Sequence, residues 1–181
     1  MSSPFTLTVE DTGVISALQA LSARVNNMAP MLQALGDDIV ERSKRRFDTS
    51  TGPDGQPWKP NSAATMEMVA ARIGKHSSNL KKGGSLNAKG QRALANKRPL
   101  IGESGDLRRE IAAISDQSSV TVISSPLYAA IQQFGGQAGR GHKVTIPARP
   151  FLPVRSDGTI YPEEQADILA ALNEWLLSGL N

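Results

Sequence analysis

Cysteine is absent from this chain. That excludes a disulfide framework, a zinc site built on thiolates and a thiol nucleophile. Aromatic residues make up only 4% of the 181 positions, a thin supply of large side chains for a self-sufficient core. No apolar run approaches the ~20 residues that a membrane-spanning helix needs. The opening residues MSSPFTLTVEDTG lack the basic start and apolar stretch of a secretory signal. The chain is therefore expected to stay in a reducing cytoplasmic compartment until it meets its partners, with no membrane among them. Histidine occurs only at His76 and His142, each in a Gly-rich context.

What is abundant is positive charge in one place. Between Lys59 and Arg109 lie eleven basic and three acidic residues, a net +8 that leaves −5 elsewhere within an overall +3. Residues 74–99 hold few apolar side chains, without period, among frequent Gly, Ser and Asn. This pattern reads as a loop or extended basic arm. Such a stretch cannot bury enough apolar surface to offset its own ordering entropy. A neighbouring subunit is the expected support. Lys81, Lys82, Lys89, Arg92, Lys97 and Arg98 form the candidate DNA-facing set, because a basic segment binds phosphates regardless of sequence. No interleaved aromatics, helix-turn-helix or zinc-finger pattern accompanies them.

Elsewhere the periodicities predict an α+β fold. Phe5, Leu7 and Val9 alternate with threonines as a short strand. Apolar residues then recur at Val14, Leu18, Leu21, Val25, Met28, Leu32, Leu35 and Ile39, a continuous helical seam interrupted at Pro30. Two helices, about 12–28 and 30–47, follow, the first capped by Asp11 or Thr12. The seam fits an amphipathic helix packed on its own sheet, the preferred arrangement, or an intersubunit coil. Arg42, Lys44, Arg45 and Arg46 complement the dipole at the end of the second helix. Pro53-Asp54-Gly55 marks a turn, and Trp58 is expected to pin that link to the core. A weak helix is read over 62–72, and a helical turn or the start of a strand over 106–111. Residues 118–125 form a strand, and 127–134 a short helix ended by Gly135-Gly136. GGQAGRGH is then a flexible tip, and KVTIPARPFLPV an extended segment whose prolines exclude a central strand. Pro162 opens a last helix running to about Ser178 and closed by Gly179.

No catalytic constellation emerges. GGQAGRG lacks the Lys-Ser/Thr of a phosphate loop. The carboxylate pairs Asp37/Asp38 and Glu163/Glu164 fall near helix starts or on solvated helix faces, where acids are expected. No Ser lies in a nucleophile motif with a nearby His. The chain reads as a non-enzyme without cofactor or metal.

Two adjoining blocks carry a family resemblance. Tyr128-Ala129, then Gln133-Phe134-Gly135-Gly136, and Ile146 through Leu152 resemble the signature of the phage virion morphogenesis family, which includes tail completion proteins of Mu-like phages. Gln132 stands where that family usually has His. Arg46-Phe47, the Pro53-Asp54-Gly55 turn with Trp58, and the stretch from Leu100 to Arg108 resemble further landmarks in the same order. The resemblance covers about residues 30–155 of a chain read as a single domain over 1–181, with the extended basic arm at about 74–99. It implies a structural virion protein of the head–tail junction, forming a ring around the DNA path, with a hexamer favoured. Other neck, connector or tail-terminator proteins would be its partners, with the DNA backbone a further contact in the lumen. Tyr128, Phe134, Arg140, Arg149, Phe151 and Leu152 are then candidate contacts with neighbouring subunits. Phe151 and Leu152 could equally fill the subunit's own core. The alternative function is a phage-encoded accessory protein binding nucleic acid without sequence preference.

Overall fold

The computed structural model describes residues 11–178. The expected Phe5–Val9 strand and the closing Gly179 lie outside them. The fold is α+β, with seven α-helices and two small antiparallel hairpins among the described residues.

Helix α1 (Thr12–Val25) begins at Asp11, whose carboxylate accepts from the Gly13 and Val14 amides at 2.9 and 3.2 Å. Helix α2 (Ala29–Thr49) has Pro30 in its first turn, where the missing N–H has no intrahelical partner to lose. It is the spine of the molecule. Its seam of Met31, Leu35 and Ile39 is buried against Val120 and Val122 on one side and Ile168, Leu172 and Trp175 on the other.

Strands β1 (Ile111–Ser115) and β2 (Val120–Ser124) form the first hairpin, with Ile111 opposite Ser124 and Ser115 opposite Val120. Residues 106–111, left open between helix and strand, hold both: helix α5 (Asp106–Arg109) leads directly into β1. The hairpin lies on α2 at Gly36. A Cβ there would stand 2.7 Å from Val120 Cγ2 and 2.9 Å from the Ala113 Cβ, so only glycine permits this approach.

Three of the eight aromatics meet in one core. Phe47, at the end of α2, meets Trp58 edge-on at 5.3 Å and Phe151 at 5.4 Å. Leu107, Ile111 and Ala129 complete that core. Trp58 pins its loop as expected, and its indole N–H also donates to the Pro150 carbonyl at 2.9 Å. Each such side chain contributes about 1.5–3 kcal/mol by leaving water.

Three expectations change. The basic segment 74–99 is not a bare arm. It contains helix α4 (Ala88–Ala95), capped by Asn87 and packed on helix α3 (Ala63–Ile73). The Asn87 amide also donates to the Ser78 and Leu80 carbonyls, so side-chain caps supply order that hydrophobic burial does not. Secondly, only half of the helical seam packs on its own hairpin. Helix α1 has no buried residue. Thirdly, Glu164 in helix α7 (Pro162–Leu177) is not on a solvated face: it is 5% exposed and pairs with Arg46. The Arg42–Arg46 cluster thus does more than complement a dipole.

Candidate functional site

The two signature blocks meet in space. Helix α6 (Ala129–Phe134) ends at Gly135, with φ +73° and ψ −178°. A Cβ at Gly135 would lie 2.8 Å from the Ala148 nitrogen and 3.0 Å from the Ile146 oxygen. The chain then forms β3 (Gly136–Ala138), turns through Arg140–His142 and returns as β4 (Val144–Ile146). The expected flexible tip is therefore a hairpin, and it delivers residues 147–154 alongside α6.

Pro147, Pro150 and Pro153 carry no N–H, so this extended segment cannot join a continuous ladder. Its remaining backbone groups still need partners. Side chains supply most of them. Gln133, 3% exposed, accepts from the Phe151 and Leu152 amides at 2.8 and 2.9 Å through Oε1. Through Nε2 it donates to the Leu152 and Val154 carbonyls at 3.1 and 2.8 Å. The Arg149 amide donates to the Gln132 carbonyl at 2.8 Å. Arg46 donates to the Phe151 carbonyl at 2.7 Å, while Trp58 holds Pro150. One glutamine thus acts as a short strand, with both faces of its amide in register with the extended chain.

Two arginines fasten this staple to the rest of the fold. Arg149 donates to the Lys59 and Pro60 carbonyls at 2.7 and 2.8 Å. Burial lowers its pKa from the usual arginine value. Arg46 is lowered mainly by desolvation, against which the Glu164 carboxylate acts. Both remain cations at any ordinary pH. Arg42 joins the same network, 3.1 Å from Glu164, 2.9 Å from Asp38 and 2.7 Å from Asp167.

Beside the staple runs a cleft of about 610 Å³ between α3, residues 97–102 and β4. Met68, Arg72, Leu100, Tyr128, Gln132 and Ile146 contribute to its walls. Gln132 Oε1 is buried there without a hydrogen-bond partner.

The candidate contact residues divide. Tyr128 and Phe134 are 48% and 44% exposed, and Arg140 is exposed. Leu152 is half-buried against the aromatic core. Arg149 and Phe151 are internal, with side chains 7% and 0% exposed and engaged within the subunit, which for Phe151 is the core-filling alternative. In the basic set, Lys81, Lys82, Lys89 and Arg92 are exposed and make no ion pair among the described residues. Lys97 and Arg98 instead donate to the chain's own Ile101 and Asp48 carbonyls. The structural roles of Gln133 and Glu164 escaped the sequence reading. For Gln133 the available signal was an amide residue preceding a segment with three prolines.

Catalytic groups do not converge. His76 and His142 are both exposed, and no group of three His, Asp or Glu among the described residues could hold a metal ion. No helix among them is long and apolar enough to cross a membrane.

A family model described as the phage virion morphogenesis family matches residues 9–89 and 85–176. The chain belongs to that family. Its two signature blocks are the two halves of the staple, so what marks this virion morphogenesis protein in sequence is largely what holds its backbone together. A curated relative, Mu-like prophage FluMu G protein 2 of Haemophilus influenzae, is 40% identical over 77 residues, covering 42% of this chain and 51% of the relative. The chain thus aligns with about half of that protein's length. No solved structure matches the chain. Family membership assigns it to the building of a phage particle, in a tail-related role.

Proposed function

We propose that this protein is a non-enzymatic structural component of the head–tail junction, which forms a ring around the DNA path and completes or joins the tail. The observation that carries the reading is the fate of the signature. Gln133 and Arg149 hold backbone, Gly135 lets two chain segments approach and Phe151 fills the core. Exposed Tyr128 and Phe134 of the signature, with Arg140 in the turn between its blocks, are left to meet neighbours. The partners in this reading are further copies, in a hexamer, and the neck, connector or tail-terminator proteins on either side.

The test is imaging of particles, with and without the protein. Density for a closed ring at the junction, together with unjoined heads and tails in its absence, is the expected result. Complete particles assembled without it would end the reading.

A second reading is favoured by one observation, the four exposed cations Lys81, Lys82, Lys89 and Arg92, which make no ion pair among the described residues. In it the protein binds nucleic acid as an accessory factor, and DNA affinity falls steeply with salt. Neutralising Lys81, Lys82 and Lys89 would then lower the salt slope by about 0.9 per lost phosphate contact. Tight DNA binding by the free protein at physiological salt, without association with tails, would displace the junction reading.

A further inference from the structure

Helix α1 carries an apolar stripe that the subunit does not cover. Val14, Ile15, Leu18 and Val25 are 54%, 51%, 61% and 56% exposed. The stripe continues the spacing that α2 buries through Leu32, Leu35 and Ile39. It is therefore written for helix contact, yet these four side chains stay exposed while another side of α1 meets α7. Among the described residues α1 is tied to α7 through Arg24, which donates to the Trp175 and Leu176 carbonyls at 2.5 and 3.0 Å and lies over the Trp175 ring. A 14-residue helix is marginal in water without burial of a face.

The same chain has an unfilled groove of about 330 Å³ between α2 and α7. Met31, Ala34, Leu35, Ala171 and Trp175 form its apolar lining. The carboxylates there are Asp38 and Glu174. No residue of the α1 stripe lines it.

From these two unmatched surfaces we infer that α1 of one copy seats in the α2–α7 groove of a second copy. Charge does not oppose the fit, since α1 has no acid between Thr12 and Val25 to meet Glu174 and Asp38, the latter already paired with Arg42. The area agrees with it. The four exposed side chains offer roughly 300 Å² of apolar surface, the scale of a functional patch. That is a fitting centre for the ~800 Å² each partner contributes to a standard interface. Seating of the stripe between two helices lets its side chains enter the groove as knobs into holes. Because stripe and groove are different surfaces, the contact is head-to-tail, the type that builds a ring when its rotation closes. The inference deepens the ring reading above and rests on it for its biological setting.

The absence of cysteine makes the test clean. Leu18→Cys and Ala34→Cys replace exposed residues on stripe and groove. They are introduced singly and together in the full chain, with unchanged urea midpoints as the check on folding. Under mild oxidant across a concentration series, the double variant should give a ladder of disulfide-linked oligomers on a non-reducing gel, and each single variant should stay monomeric. Leu18→Glu should lower the oligomeric state of the otherwise native chain without altering its circular dichroism. A crosslinked dimer and nothing larger would keep the seating of α1 but overturn the ring. Failure of the double variant to crosslink, or dimers from Leu18→Cys alone, would overturn the seating and leave a ring to form through another surface.

Discussion

Replacing Gln133 by alanine tests the staple most directly. The side chain makes four hydrogen bonds, to the Phe151 and Leu152 amides and to the Leu152 and Val154 carbonyls. At about 1 kcal/mol net for each bond, with a further ~1 kcal/mol for the Phe151 N–H stranded in the core, the loss is about 4–5 kcal/mol. For a chain of this length that corresponds to a fall in Tm of roughly 8–20 °C. Urea titration followed by tryptophan fluorescence reads it well, because Trp58 donates to Pro150 of the same segment. Q133E separates the two halves of the clamp. The carboxylate keeps the acceptor for Phe151 and Leu152 but places a second oxygen against the Leu152 and Val154 carbonyls. Burial and those carbonyls raise the introduced carboxyl's folded pKa above its unfolded ~4.3. The variant is therefore least impaired at low pH, and its deficit grows as pH rises through the folded value. A loss below about 1 kcal/mol in Q133A, or a pH-independent deficit in Q133E, would refute the account of Gln133 as a surrogate strand.

Glu164→Ala leaves Arg46 charged and buried, and should cost about 3–5 kcal/mol, whereas R46M/E164L should lose much less. Equal urea midpoints for the single and double variants would contradict a buried pair. Gly135→Ala meets both the positive φ and the Ala148 nitrogen at 2.8 Å, so a loss of at least about 1–3 kcal/mol or failure to fold is expected by thermal melt. The Asp116 carboxylate, held by the Ser118 and Ser119 amides and hydroxyls, has its pKa lowered from 3.8 to about 2. Its support of the β1–β2 turn is complete above the unfolded value and is lost as pH falls through about 2. Carbon-detected NMR titration should place Asp116 there, and D116N should remove that part of the hairpin's acid response.

Local chemistry by itself determined much of this protein. The limits of α2, α3 and α7 follow from Pro30, Ser62 and Pro162, each a residue whose backbone or side chain starts a helix. Strand β2 follows from the alternation around Val120 and Val122. The family signature was visible because its residues are contiguous. Helix α4 was obscured because Gly, Ser and Asn surround it, and its cap is read only once Asn87 is seen bridging to Ser78 and Leu80. Tertiary structure alone decided the rest. Glu164 resembles any acid in a first helical turn until Arg46, 118 residues away, removes it from water. Gln133 resembles any helix-end amide until a proline-broken segment lies beside it with unmet backbone groups. Phe151 proved internal, and the α1 stripe external, for the same reason. Sequence periodicity states which face of an element avoids water, whereas only the packed chain shows whether its own residues cover that face.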